Sequence, residues 1–487
     1  MMIRLLATLG LFLDLAQAQL YSLKSQDEFV CDYEAVKRNT EIYEGLESLE
    51  EILTKQTEPP VMMEATNVEG AEPYLYNGFY IRPIYFEGLP YKNNCTLVFG
   101  WLSTPLVSKE EDGVAGAILL HGGGATAFKE WNERWARNGM ASLAIGLEGQ
   151  TDEGQNGRFT STPFPGPRRV GAYCDSQLPI PEQWMYHTMA QSIMANTLLR
   201  AQHGVNADNV GVAGVSWGGV IAATLISFDY DRLAFAIPAY GCGSMAKSPS
   251  GIARQMSREG AEGLYERVWD PTMRYQRLFR RMDASRMPPT LWISWPGETN
   301  FPIERQMHTY QTLRQHGAEV MVLLVGQFAH SHGIVWRRPE SYFFVKSVLD
   351  SRKKKLLNLL PEHVTTTVHG SVYATQVDSY VIKDETKRVQ AVVFESVRPF
   401  LHGELYFSCE ANPQLALYEQ QWNSRSVDRL DELGCEENTN KCTWLVSFTE
   451  GAEFYKCAWF INLKTNNGLV VSTSLNHHEE AYHGVVN

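Results

Sequence analysis

The sequence predicts an α/β protein with a doubly wound, mostly parallel sheet, followed by a small, sandwich-like all-β domain. Residues 114–120 form an unbroken apolar run, which is typical of a strand buried on both faces of a parallel sheet. Strand patterns alternate with helix patterns over about 240 residues, as doubly wound folds require. From residue 362 onward, short β-rich runs recur with turn residues between them, which indicates a β-sandwich.

The elements of the first domain follow in order from residue 74. Apolar and polar residues alternate over 74–104 between Gly and Pro, which indicates the strands of a hairpin or meander. Apolar runs then predict strands at 114–120, 141–145, 210–215, 233–238, 290–295 and 319–325. Between them, helices are predicted at 128–138, 181–202, 219–227, 303–315 and 339–350.

Two stretches interrupt this alternation. Residues 151–180 are rich in Gly, Pro, Ser and Thr, whereas residues 244–285 are polar and helical with interspersed Trp and Tyr. Both follow strands at the carboxyl edge of the predicted sheet, where open α/β folds bind their substrates. We therefore expect these insertions to form walls or lids of a pocket.

Length and composition set the domain plan. The chain has 487 residues, of which 44% are hydrophobic and 20% are charged, so it can form packed cores. We predict an N-terminal extension over 19–73, a catalytic domain over 74–355 and a β-rich domain over 362–487. The formal net charge of −12 disfavours nucleic acid and anionic membranes as partners, because both require a basic face.

Residues 1–18 predict a secretory signal peptide. A short basic region precedes an apolar stretch at 5–15, and Ala16-Gln17-Ala18 has the small residues of a cleavage site. The stretch is too short to span a bilayer, and no later window joins about 18 apolar residues without charge. We therefore expect a soluble protein that is secreted or lumenal. The sequon Asn94-Cys95-Thr96 fits this route and makes Asn94 a candidate glycosylation site.

Eight cysteines form an even set, as expected for an oxidising compartment. Cys409, Cys435, Cys442 and Cys457 fall within the predicted C-terminal domain, and we predict two disulfides there. The spacing leaves their pairing open. One arrangement joins Cys435 to Cys442 and Cys409 to Cys457.

Ser216 is the candidate nucleophile. The sequence Gly214-Val215-Ser216-Trp217-Gly218 matches G-x-S-x-G, the tight strand-to-helix turn that lifts a serine hydroxyl above a sheet edge. The glycines are needed because this turn leaves little room for side chains. A predicted strand precedes the motif and a predicted helix follows it, which is the context that the turn requires.

Such a serine needs a base, and the base needs a group that orients it, because a hydroxyl is a poor nucleophile at its free pKa. In folds with this turn the acid and then the histidine follow the serine, each on a loop after a later strand. Glu298 is the first ionisable group after the strand at 290–295, which makes it the candidate acid.

Two histidines, His330 and His332, follow the strand at 319–325, and either could be the base. We prefer His330 because it lies closer to the end of the strand. The His-x-His spacing would also suit two metal ligands, but no third ligand motif stands beside it, so no metal is expected.

The loop directly after the strand at 114–120 is a candidate oxyanion hole. It reads His121-Gly122-Gly123-Gly124, an HGGG-type loop whose backbone N–H groups can hold the charge of a tetrahedral intermediate. We expect Gly123 or Gly124 to supply one donor and the N–H of Trp217 to supply the other. A phosphate-binding loop is the alternative, but the stretch has neither a Gly-Lys-Ser/Thr ending nor the G-x-G-x-x-G spacing.

Eight short motifs stand out in combination. They are HGGGATAFKEW at 121–131, QWMYH at 183–187, GVAGVSWGG at 211–219, AYGCG at 239–243, WDP at 269–271, AHSHG at 329–333, AWFINL at 458–463 and GLVVS at 468–472. Together they resemble the acetyl xylan esterase-like branch of the α/β-hydrolases, close to the dienelactone hydrolases. The resemblance covers about residues 74–350 and continues in two β-rich segments of the C-terminal part.

The resemblance implies a nucleophile at Ser216, an acid at Glu298 and a histidine at His330 or His332. Members of this branch commonly carry Asp in a Gly-Thr-Asn-Asp loop, where this chain has Trp-Pro-Gly-Glu ending at Glu298. Residues 151–180 match no pattern of the branch. The implied substrates are short acyl esters, such as acetyl groups on carbohydrate, and no cofactor is implied.

The sequence therefore predicts a secreted serine hydrolase of carboxylic esters. One alternative is a serine peptidase of the same fold, in which Glu148 would bind the amino terminus of a peptide. A second alternative is a catalytically silent binding protein. Four tryptophans have two interpretations, since they could line a sugar-binding cleft or belong to the core: Trp131, Trp184, Trp217 and Trp269.

Overall fold

The computed structural model divides the chain into two compact units, Met1–Gly214 and Val215–Asn487. This division differs from the predicted domains at 74–355 and 362–487, which stay predictions. The predicted signal peptide lies outside the described residues. The structure describes residues 58–68, 70–106, 113–152, 159–326, 328–356, 374–383, 388–396, 399–409, 416–435, 442–450, 454, 457–466 and 468–476.

The first unit contains a sheet with the strand order β1-β3-β4-β6-β5-β7, and β2 pairs with β3. Strands β6, β5 and β7 run parallel, whereas β1 to β4 join through antiparallel pairs. The bounds are β1 Met62–Glu64, β2 Tyr74–Tyr76, β3 Phe79–Tyr91, β4 Asn94–Pro105, β5 Val114–Leu120, β6 Ala141–Ile145 and β7 Val205–Val215, with helices α1 Lys129–Arg137 and α2 Trp184–Arg200 and a 3₁₀ turn Ile180–Glu182.

The second unit begins with the last residue of β7 and contains three parallel strands, β8, β9 and β10. Their bounds are β8 Ala236–Ala239, β9 Thr290–Ser294 and β10 Val320–Leu324. The helices are α3 Trp217–Asp229, α4 Gly251–Arg258, α5 Glu262–Leu264, α6 Pro271–Leu278, α7 Ile303–Gln315, α8 His332–Val335 and α9 Pro339–Leu356, with a π-helical turn Tyr265–Trp269 and 3₁₀ turns Met245–Lys247 and Ala284–Arg286.

The C-terminal part of this unit forms two antiparallel sheets, with orders β11-β12-β16-β15 and β14-β13-β17-β18. Both sheets contribute to one apolar core, in which Phe448 packs against Trp459. The bounds are β11 Ala374–Lys383, β12 Arg388–Ser396, β13 Phe400–Ser408, β14 Asn423–Ser426, β15 Arg429–Cys435, β16 Cys442–Glu450, β17 Ala458–Thr465 and β18 Val470–Ser472, with a 3₁₀ turn Leu417–Glu419.

The fold class is confirmed, because a mostly parallel sheet with helices is followed by separate all-β sheets. The strands predicted at 114–120 and 141–145 have the bounds of β5 and β6, and the helix predicted at 303–315 has those of α7. The short polar strands β14 and β15 were missed, because their sequences lack the apolar alternation that marks a half-buried strand.

The pairing of Cys435 with Cys442 and of Cys409 with Cys457 is confirmed. The first disulfide joins the adjacent ends of β15 and β16, and the second connects residues 48 positions apart in the sequence. Cys95 is also disulfide-bonded. Among the described helices, none combines the length and the apolar character needed to cross a membrane.

Part of the insertion at 244–285 belongs to the buried core of the second unit, and its expected role as a wall or lid of a pocket stays a prediction. Trp269 and Tyr275 are fully buried. The Thr224 hydroxyl on α3 donates to the carbonyl oxygen of Trp269 (3.1 Å), and the Tyr275 hydroxyl donates to the carbonyl of Ala223. Large aromatic side chains stabilise the structure most when they leave water, and here they pack on α3.

Candidate active site

Ser216 occupies a strained turn between β7 and α3. Its backbone has φ 62° and ψ −122°, a conformation that L-residues rarely adopt and that the surrounding structure must hold in place. The Ser216 N–H donates to the carbonyl oxygen of Ala239 at the end of β8 (2.9 Å). The turn therefore has the geometry that G-x-S-x-G predicts, with the serine at the start of a helix.

The closest backbone approach at this turn involves two glycines, of which Gly219 lies one residue beyond the motif. A Cβ atom on Gly219 would lie 2.3 Å from the carbonyl oxygen of Ala239. A Cβ atom on Gly241 would lie 2.1 Å from the carbonyl carbon of Gly219. Both distances are far below van der Waals contact, so only glycine lets α3 start this close to the residues after β8.

A hydrogen-bonded chain joins Ser216, His330 and Glu298. The Ser216 Oγ lies 2.9 Å from Nε2 of His330, and Nδ1 of His330 lies 2.7 Å from Oε2 of Glu298. Since an ionised carboxylate only accepts, Nδ1 carries the ring proton and Nε2 is left as the acceptor for the serine hydroxyl. This is the tautomer that a general base requires.

The Glu298 carboxylate is fully buried, with 0% of its side chain exposed. Its Oε1 accepts the backbone N–H groups of Asn300 (2.9 Å) and Phe301 (3.3 Å), and its Oε2 also accepts Nε1–H of Trp295 (3.3 Å). Buried carboxylates need such partners, because an unpaired charge inside a protein is costly. These donors fix the orientation of the group that faces His330.

Two aromatic rings flank the imidazole of His330. Tyr240 stacks on it with ring centroids 4.8 Å apart, and Phe301 is nearly parallel to it at 6.1 Å. The Tyr240 hydroxyl donates to the carbonyl oxygen of Ala329, the residue before the histidine (2.7 Å). Burial and the nearby Glu298 carboxylate raise the pKa of Tyr240, which therefore stays a hydroxyl donor.

His332 is not part of the hydrogen-bonded chain that joins Ser216, His330 and Glu298. It begins α8, and its ring faces Trp336 at a centroid distance of 6.5 Å. Of the two histidines that the sequence left open, the structure brings His330 to Ser216 and Glu298.

The glycine loop of the first unit is organised by His121. Nδ1–H of His121 donates to the Gly122 carbonyl oxygen (2.6 Å), and Nε2 accepts the N–H of Leu147 (2.9 Å). Burial lowers the pKa of His121 to about 4, so the imidazole is neutral at physiological pH. His121 thus has a structural role in the loop that contains Gly123 and Gly124.

The amide of Gly124 has a partner within the first unit, since it donates to Oε1 of Glu148 (3.1 Å). The same carboxylate oxygen accepts Nε–H of Arg169 (2.9 Å). Because each amide has one hydrogen, Gly123 is the better candidate for an oxyanion donor in this loop. Trp217, the other candidate donor, is the first residue of α3 in the second unit.

The exposure of the remaining candidate residues bears on their predicted roles. The Asn94 side chain is exposed, as a glycosylation site must be. The four tryptophans weighed as a sugar-binding cleft are all buried, which favours their interpretation as core residues: Trp131, Trp184, Trp217 and Trp269.

Comparisons with known proteins agree with this architecture. Residues 179–349 match the prolyl oligopeptidase family, Peptidase_S9. No curated protein matches the sequence. Together with the observed sheet and the turn at Ser216, the family match shows an α/β-hydrolase fold.

Solved structures similar to this chain include the following three. The acetyl xylan esterase from Paenibacillus sp. R4 is 19% identical, with 68% of this chain and 99% of that chain covered and a TM-score of 0.45. Acetyl xylan esterase 1 from Thermoanaerobacterium sp. JW/SL YS485 is 12% identical, with 62% and 94% covered and a TM-score of 0.43. The Pyrococcus horikoshii acylaminoacyl peptidase is 17% identical, with 56% and 41% covered and a TM-score of 0.39.

Sequence reasoning missed the two rings that flank His330. Tyr240 and Phe301 lie 90 and 29 residues from His330 in sequence, so no local pattern links them. Tyr240 does stand within the AYGCG motif at 239–243, next to Gly241. That motif was the available signal for a role close to the active site.

Proposed function

We propose that this protein is a secreted serine hydrolase that cleaves carboxylic esters. The observation that carries the proposal is the chain from Ser216 through His330 to Glu298, with distances of 2.9 and 2.7 Å, on a strained strand-to-helix turn. An imidazole hydrogen-bonded between a hydroxyl and a buried carboxylate is the arrangement that makes serine nucleophilic.

In the proposed reaction, Ser216 Oγ attacks the acyl carbonyl carbon while Nε2 of His330 takes the hydroxyl proton. The Glu298 carboxylate keeps the ring oriented and stabilises the imidazolium that forms. His330 then returns the proton to the leaving alkoxide as the C–O bond breaks, which leaves an acyl-enzyme on Ser216. Water, deprotonated by His330, then attacks the acyl carbon, the bond between that carbon and Ser216 Oγ breaks, and His330 returns the proton to Oγ as the acid leaves.

The oxyanion of each tetrahedral intermediate needs backbone donors, which can contribute several kcal/mol, typically about 3–4 kcal/mol for one donor. In this proposal the donors are the N–H groups of Trp217 and of Gly123 or Gly124. Gly123 is preferred, since the Gly124 N–H already donates to Glu148. The mechanism uses only groups of the chain, and it requires neither a metal ion nor a cofactor.

Short acyl esters, such as acetyl groups on carbohydrate, are the proposed substrates. The motifs shared with the acetyl xylan esterase-like branch support this choice. Secretion is supported by the predicted signal peptide and by the disulfides Cys409–Cys457 and Cys435–Cys442, since disulfides persist in oxidising compartments. Asn94 is proposed as a glycosylation site of the secreted protein.

A serine peptidase is the second candidate, because residues 179–349 match the prolyl oligopeptidase family. That activity would require an anchor for a peptide terminus, for which the sequence offered Glu148. The Glu148 carboxylate is instead paired with Arg169 and accepts the Gly124 N–H. A carboxylate that is already paired with an arginine attracts an ammonium group weakly, so the ester hydrolase is favoured.

The test compares p-nitrophenyl acetate with an aminoacyl p-nitroanilide as substrates of the wild type, Ser216→Ala and Ser285→Ala. Ser285 is an exposed serine of the same unit and serves as the matched control. We expect ester hydrolysis in the wild type and in Ser285→Ala, and a loss of about 10³-fold or more in Ser216→Ala. Faster anilide cleavage would identify the peptidase. No turnover of either substrate by folded wild type would favour the binding protein.

A further inference from the structure

The segment that carries His330 is hydrogen-bonded at two points to residues at the ends of β9 and β8. Val325 N–H donates to the Ser294 carbonyl oxygen (2.9 Å), and the Tyr240 hydroxyl donates to the Ala329 carbonyl oxygen (2.7 Å). These bonds fix two points of the segment between β10 and α9.

The C-terminal sheet β14-β13-β17-β18 holds the beginning of this segment through Ser472 on β18. The Ser472 hydroxyl accepts the N–H of Leu324, the last residue of β10 (2.9 Å), and lies 3.1 Å from the Leu324 carbonyl oxygen. Asn462 on β17 lies 2.7 Å from the same hydroxyl. The end of β10, the strand that leads to His330, is therefore bound by a side chain of the C-terminal sheet β14-β13-β17-β18.

Tyr406 on β13 makes the second contact, two residues further along the segment. A Cβ atom on Gly326 would lie 1.9 Å from Cε1 and 2.2 Å from Cζ of Tyr406, so the ring lies directly against the glycine backbone. The ring itself is fixed, because it stacks on Phe460 at 5.1 Å and its hydroxyl donates to Glu404 (2.7 Å). Only glycine at position 326 permits this contact.

The third contact lies after the histidine, at the start of α9. The buried carboxylate of Glu340 accepts the backbone N–H of Val470 on β18 (3.1 Å) and is paired with Arg338. The same C-terminal sheet therefore contacts the chain at Leu324, Gly326 and Glu340, on both sides of His330. An element that merely covered a surface would not need to bond both ends of one segment.

We propose that the C-terminal sheet is a positioning element for His330, an inference that rests on the proposed hydrolase function. It restrains residues 324–340 so that the imidazole stays within hydrogen-bonding distance of both Ser216 and Glu298. Tyr406 and Ser472 are its positioning residues. Loss of either contact frees the segment, and a displacement of about 1 Å at a reacting group can cost roughly 10²-fold in rate.

The test uses the full chain with four variants. Tyr406→Ala removes the ring, and Ser472→Ala leaves the Leu324 N–H without its acceptor. Tyr406→Phe keeps the ring and loses only the hydroxyl. Arg429→Ala is the matched control, because Arg429 is an exposed residue on the other C-terminal sheet.

For p-nitrophenyl acetate we expect kcat to fall about 10- to 100-fold in Tyr406→Ala and Ser472→Ala, with KM within about twofold of wild type. Tyr406→Phe restores kcat to within about threefold of wild type. A purely structural role would instead lower the amount of folded enzyme and leave kcat per folded molecule unchanged. Equal kcat values across all variants would overturn the proposal.

Hydrogen–deuterium exchange of residues 325–338 gives a readout that does not depend on activity. We expect exchange there to be faster in Tyr406→Ala and Ser472→Ala than in wild type and in Arg429→Ala. If the wild type has no esterase activity, the proposed function fails, whereas the exchange data still decide whether the sheet restrains this segment. If Tyr406→Ala does not fold, Ser472→Ala alone decides, and unchanged exchange in it overturns the proposal.

Discussion

His121 and His330 each stand on a loop after a parallel strand, one in the first unit and one in the second. His121 is 2% exposed, and both of its ring nitrogens bond to backbone groups. The His330 side chain is 30% exposed, and its nitrogens bond to the side chains of Ser216 and Glu298. The comparison indicates that the partners of an imidazole, rather than its place after a strand, distinguish the structural His121 from the proposed base His330.

The largest expected effect is the difference in kcat between the variants His330→Ala and His332→Ala. His330→Ala removes the only imidazole that bonds to Ser216 among the described residues, so kcat for p-nitrophenyl acetate should fall by about 10³-fold or more. His332→Ala should change kcat by less than about threefold. Steady-state kinetics of both variants measure this difference. Equal, mild losses in the two would contradict the assignment of the base.

Glu298→Gln tests whether the carboxylate makes His330 differ from His121. A glutamine amide can donate to Nδ1, which favours the tautomer whose Nε2 no longer accepts the serine proton. We expect kcat to fall by about 10³-fold with KM little changed. Glu298→Asp keeps the charge with a shorter reach and should retain more activity than Glu298→Gln. The reverse order of these variants would show that charge at this position is unimportant.

The smallest expected effect concerns stability at the structural histidine. Burial lowers the pKa of His121 from 6.5 to about 4. The imidazole of the unfolded state is therefore protonated below about pH 6.5, whereas that of the folded state is protonated only below about pH 4. The stability from this group is present above pH 6.5 and is lost as the pH falls towards 4. Between pH 7 and pH 5 the loss is roughly 2 kcal/mol.

Urea unfolding of wild type and His121→Gln at pH 7 and pH 5 measures the pH-dependent contribution of His121 to the free energy of unfolding. We expect the variant to be less stable at pH 7 but to lose roughly 2 kcal/mol less on acidification. His187, whose pKa burial also lowers to about 4, adds a similar loss to both proteins and cancels in the comparison. The contribution of Asp270 to stability depends on pH in the opposite direction. Burial raises its pKa to about 6, so the stability that it contributes falls as the pH rises from about 4 to 6. This contribution is also the same in both proteins. An identical pH dependence in both proteins would contradict the assignment.

Local sequence signals predicted the parts of the site that depend on local structure. The turn at Ser216 is specified by glycines and by the flanking strand and helix patterns. Glu298 and His330 could be chosen because each is the first suitable residue after a predicted strand. Parallel strands end at one edge of a sheet, so order along the chain carries information about proximity there.

Contacts between residues distant in sequence could not be predicted in this way. The approach of Gly219 to Gly241 depends on how α3 meets the residues after β8, and the stacking of Tyr240 on His330 depends on the path of two separate loops. The contact of Tyr406 with Gly326 joins two separately predicted domains. Periodicity describes which face of an element is buried, but not which distant residue covers it.

Labelling with a fluorophosphonate tests the central claim most directly, since this reagent bonds covalently to activated serine hydroxyls. Intact-mass measurement and peptide mapping of folded wild type should show a single adduct, on the peptide that contains Ser216. His330→Ala should label far more slowly, and Ser216→Ala should not label at all. An adduct on a different residue, or no adduct on folded wild type, would contradict the assignment of Ser216 as a nucleophile activated by His330.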